Sequence, residues 1–271
     1  MLKQRIITAL VLLPIALCGF FLLTGAYFAL FIAVVVVLGA WEWARLAGLA
    51  AQSMRVAYAA AVALLLFLMY LTPGVVPWIL GASVIWWALA TFLVLTYPAS
   101  SEHWASALCK LMIGFLILLP AWQGLVLIKQ WPMGNWLILA VMVLVWAADI
   151  GAYFSGKAFG KRKLAPKVSP GKSWEGVYGG LLVALAITVV VGIWRDWTVS
   201  QFIAGLLGAA VIVLISIVGD LTESMFKRQS GIKDSSNLLP GHGGVLDRID
   251  SLTAAVPVFA VLLWAADWGV M

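Results

Sequence analysis

The sequence predicts an all-α fold: a polytopic membrane helix bundle of about nine transmembrane helices, with its amino terminus in the cytoplasm. Three observations lead there. Of 271 residues, 64% are hydrophobic and 10% charged, against roughly a quarter charged in an ordinary soluble domain. The apolar runs approach the roughly 20 residues that a helix needs to cross a bilayer. They are also apolar on all sides, as in FALFIAVVVVLGAW, where a β-barrel would alternate. A soluble enzyme, a disordered chain and a disulfide-stapled secreted module are thereby excluded.

The start, MLKQRIITALVLLPIALCGF, carries basic residues before an apolar stretch. Further spans follow at once and no cleavage site intervenes, so it reads as a retained first helix over 6–23. The following spans are expected at 27–43, 56–71, 78–97, 108–128, 136–154, 177–194, 202–221 and 252–268. With the amino terminus inside, only Lys129 and Arg195 of the 17 Lys and Arg residues fall outside, as the positive-inside rule asks. Eight or ten spans would misplace a large basic loop. Trp78, Trp136 and Trp194 lie near span ends, where interfacial aromatics belong, whereas Trp86, Trp87 and Trp146 sit deeper and read as packing residues. Cys18 and Cys109 lack metal-ligand spacing and read as small buried side chains.

The net charge of +6 is a topological signature that names no partner, and nucleic acid is not expected. Residues 1–130 hold few polar groups and read as a transmembrane scaffold. Residues 131–271 form the catalytic region, with cytoplasmic loops 155–176 and 222–251, and no linker divides the two parts of one integrated membrane domain.

Asp149 interrupts the apolar sixth span, where a carboxylate is costly and marks either a site or a buried ion pair. Gly151 and Gly156 beside it permit close helix approach or a break. In VGDLTESMFKR, the residues Asp220, Glu223, Ser224 and Lys227 share one helical face. That face suits a carboxylate metal site, an intrahelical salt bridge or a proton relay, with metal assigned mainly to Asp220. Asp247 and Asp250 repeat the i,i+3 spacing, and hard oxygen ligands suit Mg²⁺. Before them, Pro240-Gly241-His242-Gly243-Gly244 offers backbone amides to a phosphate. His242 either donates to phosphate or holds this loop. Zinc is not expected, because clustered Cys and His ligands are absent from the sequence.

The other loop, SGKAFGKRKLAPKVSPGKSWEG, serves topology and anionic lipid heads, or binds nucleotide phosphates; electrostatics does not separate these roles. Gly171-Lys172-Ser173 is not a P-loop, since Pro166 stands where the earlier glycine is required and no strand is expected before it.

The stretch SMFKRQSGIKDSSNLLPGHGGVLDRID (224–250) resembles the signature of the phosphatidate cytidylyltransferases, or CDP-diglyceride synthases, in its Lys-Arg, Lys-Asp, Pro-x-His-Gly-Gly and Asp-Arg-x-Asp elements. The upstream FGKRKLAPKVSPGKSWEGVYGG resembles the family's second conserved region, departing at Gly171 and Ser173, where a basic residue and Thr are commoner. The resemblance implies that CTP and phosphatidate become CDP-diacylglycerol and pyrophosphate, with Mg²⁺ required, K⁺ or a second metal ion beside it, and a homodimer. It implies catalytic roles for Asp220, Lys227, Arg228, Asp247, Arg248 and Asp250. Metal falls to Asp220 and Asp247, with Asp149 and Glu223 as further candidates. Substrate contacts fall to Ser224, Lys233, Asp234, His242, Gly243 and Gly244, and CTP phosphates to Lys163, Lys167, Lys172 and Ser173. A bacterial inner membrane, with the active site at its cytoplasmic face among membrane lipids, is the expected location. The rivals are a nucleotide-dependent polyprenol or phytol kinase, which would release no pyrophosphate, and a cation-coupled transporter using Asp149 and Asp220. A CDP-alcohol phosphotransferase is excluded by its missing Asp-x-x-Asp-Gly-x(2)-Ala-Arg pattern.

Overall fold

The computed structural model describes residues 2–266 and 268. Helix α1 (Leu2–Leu17) passes into a wide π turn (Cys18–Leu22), then come α2 (Gly25–Leu46), α3 (Gln52–Leu71), α4 (Val76–Leu95) and the single turn α5 (Ser101–Trp104). Helices α6 (Ala107–Gln130) and α7 (Gly134–Phe159) precede a hairpin of β1 (Lys163–Ala165) and β2 (Ser169–Ser173); α8 (Trp174–Trp194), α9 (Val199–Gln229) and α10 (Leu246–Ala265) complete the chain. Among the described residues, eight helices are long and apolar enough to cross a membrane, and 6–22 is a shorter apolar helix.

Helix α6 is the central one, with 67% of its apolar window buried, and its Leu118 and Trp122 sit in the core. Helices α7 and α8 approach through glycine. A Cβ on Gly151 would lie 2.7 Å from the Gly179 carbonyl, and one on Gly180 would lie 2.7 Å from that of Ala148. Small residues let helix backbones meet where lipid supplies no hydrophobic drive between them. Gly151 therefore serves close approach, and α7 runs unbroken through Gly156.

The chain's two ends of the bundle separate the charges as the sequence anticipates. At one end Lys129 donates to the Phe20 carbonyl (2.6 Å) and to Asn135 (2.5 Å), and Arg195 meets Met133. At the other, Ser230 donates to the Leu46 carbonyl (2.7 Å), Arg45 to that of Ser235 (3.2 Å) and Arg228 to that of Val168 (3.1 Å). Trp78, Trp136 and Trp194 are exposed and Trp86 and Trp87 buried, as expected, but Trp146 is exposed. Contrary to expectation, Cys18 is exposed and Cys109 only half-buried.

Three local expectations change. The all-α class gains an antiparallel hairpin inside 155–176, closed by Glu175, which accepts from the backbone N–H groups of Lys161 and Arg162. Gly171-Lys172-Ser173 is therefore the end of a strand, although Pro166 still sets it apart from a P-loop. Helix α9 continues to Gln229, beyond the expected end at 221, and α10 begins at Leu246 rather than 252. Charge ended the hydropathy-defined spans, but the backbone ladder continues wherever charged side chains find partners. Loop 222–251 thus shrinks to 230–245.

Candidate active site

The basic loops, the carboxyl-terminal third of α9 and the first turn of α10 meet at one end of the bundle. Gly219 makes this possible: a Cβ there would stand 2.7 Å from the Asp250 carbonyl and 3.0 Å from the Ala254 Cβ. With α9 and α10 in such proximity, the carboxylates of both face a shared interior.

Two lysines organise them. Lys172, at the end of β2, places its Nζ 2.7 Å from Asp220 Oδ2, and Ser224 Oγ donates to Asp220 Oδ1 at 3.1 Å. Lys227 bridges Glu223 (3.1 Å) and Asp247 (2.8 Å). Asp149 interacts electrostatically with Lys172 and Asp220, and Asp250 with Asp220, Lys172 and Lys227. The cluster thus sets Asp149, Asp220, Glu223, Asp247 and Asp250 against Lys172 and Lys227. Its carboxylates thus outnumber its ammonium groups.

Asp247 also holds the 230–245 loop. Its Oδ2 accepts from the Ser235 N–H (3.0 Å), the Ser235 hydroxyl (2.9 Å) and the Gly244 N–H (2.8 Å). Gly243 has φ of +81°, a region that disfavours side chains, and a Cβ there would lie 2.7 Å from Asp247 Oδ2. At Gly244 a Cβ would collide with the Ser235 hydroxyl and approach Glu42 to 2.5 Å. The two glycines bring the backbone against the carboxylates.

A cavity of about 350 Å³ adjoins the cluster between α7, α8, α9 and β2. Its lining includes the polar Asp149, Lys157, Lys172 and Ser173 and the apolar Ala148, Val177, Val213 and Ile217. Its size and mixed lining are those of a small-molecule pocket. Ser173 also caps α8, accepting from the Gly176 N–H at 3.2 Å.

The structure therefore brings together Asp149, Lys172, Ser173, Asp220, Glu223, Ser224, Lys227, Gly243, Gly244, Asp247 and Asp250. Lys163, Lys167, Arg228, Lys233, Asp234 and Arg248 are exposed around this cluster, with Arg228 bonded to Val168. His242 is half-buried; its N–H donates to the Leu239 carbonyl at 2.8 Å, and its Nδ1 has no partner among the described residues.

Similarity to known proteins can now be weighed against this geometry. The model of the cytidylyltransferase family matches residues 3–266. The chain belongs to that family. A relative from Pseudomonas aeruginosa, named phosphatidate cytidylyltransferase, is 72% identical over 269 residues, covering 99% of each chain. One of the same name from Haemophilus influenzae is 47% identical, covering 96% of this chain and 98% of its own. A third, from Staphylococcus saprophyticus, is 36% identical over 64% of this chain and 66% of its own.

For a member of this family a divalent cation must be tested against the residues present. Among the described residues, no three acidic, His or Cys side chains converge as a ready-made metal cage. Mg²⁺ does not need one, since it is commonly bound by one or two carboxylates together with water and substrate phosphates. Hard oxygen donors in excess of cations fit such an ion. Glu223 is buried and already paired with Lys227 at 3.1 Å.

One residue of the site escaped the sequence reading. Glu42, near the end of α2, is fully buried and accepts from Ser235 Oγ (3.2 Å), Ser236 Oγ (2.5 Å), the Val245 N–H (3.0 Å) and the Leu246 N–H (2.6 Å). Its signal was present: a carboxylate between Trp41 and Trp43 at the end of an apolar run. A carboxylate in that setting is as costly as Asp149 and equally marks a site or a buried pairing.

Proposed function

We propose that the chain transfers the cytidylyl group of CTP to phosphatidate, giving CDP-diacylglycerol and pyrophosphate. The observation that carries this reading is the lysine-bridged carboxylate cluster beside a cavity lined by both polar and apolar side chains. A lipid phosphate can meet a nucleotide there while its apolar part stays among helices.

A phosphatidate oxygen attacks the α-phosphorus of CTP; the new P–O bond forms as the bond to the β-phosphate bridging oxygen breaks, and pyrophosphate leaves. The attacking oxygen is already anionic, so no strong general base is required. The barrier comes mainly from repulsion between anions, and preorganised charge lowers it. Lys172 is held at the cavity by Asp220, ready to neutralise phosphate. Lys227, Arg228 and Arg248 supply further positive charge, and Lys163, Lys167, Ser173 and Lys233 act at the mouth. Ser224, Asp234, His242, Gly243 and Gly244 orient the phosphates, with Asp250 placing α10 against α9. Asp220 and Asp247, with Asp149 and Glu223 adjacent, would hold Mg²⁺, with K⁺ or a second metal ion beside it. When bound, Mg²⁺ supplies neutralisation of the phosphate oxygens.

The same reading gives nine crossings, with 6–23 as the first, a cytoplasmic amino terminus and an active site facing the cytoplasm of a bacterial inner membrane. The separation of Lys129 and Arg195 from the other basic loops supports it. The protein works as a homodimer among membrane lipids and without nucleic acid. Residues 1–130 act as scaffold and 131–271 as catalytic region within one integrated domain, with Glu42 reaching across.

Purified wild type and Asp220→Asn should be compared with phosphatidate, Mg²⁺ and α-labelled CTP, following lipid label and pyrophosphate together. Stoichiometric label and pyrophosphate in wild type, lost in the folded variant, are expected. Wild type that yields neither product overturns the reading.

A further inference from the structure

We infer that Glu42 is a positioning residue for the reaction: a buried carboxylate from the scaffold half that clamps the middle of the 230–245 loop to the start of α10 and thereby sets Asp247 and the Gly243-Gly244 backbone. The inference rests on the cytidylyl-transfer reading and adds to it a residue outside the catalytic half.

Each Glu42 oxygen accepts one hydroxyl and one backbone N–H. Oε1 takes Ser236 Oγ and the Val245 N–H; Oε2 takes Ser235 Oγ and the Leu246 N–H. One pair of donors lies in the middle of the loop and the other where the loop joins α10, so a single side chain ties residues 235 and 236 to the start of that helix. Val245 gives α10 no side-chain cap, and helix N–H groups left without partners are costly when buried. Glu42 supplies that cap from another helix, and its negative charge lies at the positive end of α10.

This clamp is one contact from the reacting groups. Ser235 Oγ lies 3.2 Å from Glu42 and 2.9 Å from Asp247, and the Ser235 N–H also reaches Asp247. Gly244 donates to Asp247, and its backbone packs so close to Glu42 that a Cβ there would stand 2.5 Å from Oε1. Moving Glu42 therefore moves the atoms that orient the Asp247 carboxylate. The cavity between α7 and α8 is lined by none of the Glu42 partners, so lipid binding should be left in place. Glutamine cannot replace Glu42. Its amide nitrogen donates and does not accept, so either orientation leaves the backbone N–H of Val245 or of Leu246 facing another N–H.

The test uses the full chain in lipid nanodiscs. Glu42→Gln should lower kcat by about a hundredfold or more, in line with the sensitivity of rate to small misplacements of reacting groups. The KM for phosphatidate should stay within about twofold, because interactions that act only in the transition state leave ground-state binding unchanged. Hydrogen exchange of residues 235–246 should accelerate about tenfold or more while α6 and the amino-terminal half of α9 keep their protection, the mark of local opening. Ser236→Ala removes one donor to Glu42 from outside the catalytic set and should show a weaker form of both effects. The double variant should lose less than the product of the two, since contacting residues are not independent. Unchanged kcat and loop exchange in Glu42→Gln overturn the inference, as does protection lost evenly across the bundle. If Glu42→Gln does not fold, Ser236→Ala decides: faster loop exchange with reduced kcat supports the clamp, and wild-type behaviour refutes it. A wild type without cytidylyl transfer, but with the loop opening in Glu42→Gln, refutes the reaction and leaves the clamp standing.

Discussion

Replacing Lys227 by Met removes an ammonium that two carboxylates share while keeping most of the side-chain stem. Lys227 contacts Asp247 at 2.8 Å and Glu223 at 3.1 Å, and the three side chains are only 10%, 6% and 4% exposed. Deleting one partner of a buried ion pair costs about 3–5 kcal/mol, because the remaining charge is stranded away from water. Here two carboxylates are stranded together. One ammonium cannot be lost twice, so the expected destabilisation stays in that range, and a loss of about 4 kcal/mol shifts the folded-to-unfolded ratio roughly a thousandfold. Equilibrium unfolding in mixed micelles, titrated with denaturing detergent and followed by tryptophan fluorescence, measures it; 15 tryptophans provide the signal. Adding Glu223→Gln to Lys227→Met removes one stranded charge and should recover part of the loss. A Lys227→Met protein within about 1 kcal/mol of wild type, as for a solvent-exposed pair, would refute the reasoning, as would a double variant less stable than the single one.

Other consequences follow from the same geometry. Gly219→Ala puts a methyl group against the Asp250 carbonyl, which is backbone and cannot rotate away; an overpacking cost of about 1–3 kcal/mol is expected in the same unfolding assay, with reduced turnover because α10 carries Asp247 and Asp250. Lys172→Met differs in kind, since Lys172 and Asp220 side chains are 26% and 29% exposed. Its stability should change by no more than about 1 kcal/mol, while label transfer from CTP falls about a hundredfold or more through loss of preorganised charge. Full turnover in Lys172→Met would remove that lysine from the phosphate site.

Much of the site could be read from residue types. Asp149 and Asp220 interrupt apolar runs, and the spacing of Asp220, Glu223, Ser224 and Lys227 announces one helical face because helical periodicity is local. The close approaches at Gly151 and the split of Lys129 and Arg195 from the remaining basic loops were legible for similar reasons. Helix ends were less so. Hydropathy falls at Asp220 and rises again only after Ser251, yet α9 and α10 extend into that interval, because a buried charge with a partner does not stop a helix. The hairpin in 163–173 left no alternating pattern to detect, being short and, within its strands, buried only at Ser173.

The sequence by itself determined the membrane class, the approximate helices, the sidedness pattern of charge and the family signature, all of which depend on composition or on residues near one another in the chain. Only the tertiary structure decided which charges pair. Lys172 could have served any phosphate or lipid head until the fold set it beside Asp220, and Glu42 looked like part of a scaffold until α2 was packed against the start of α10. The partners of Glu42 lie more than 190 residues further along the chain. Charges at such separations meet only because an apolar bundle, joined through glycine and buried aromatic side chains, fixes the helices against one another, and a buried carboxylate then takes the donors that the packing presents to it.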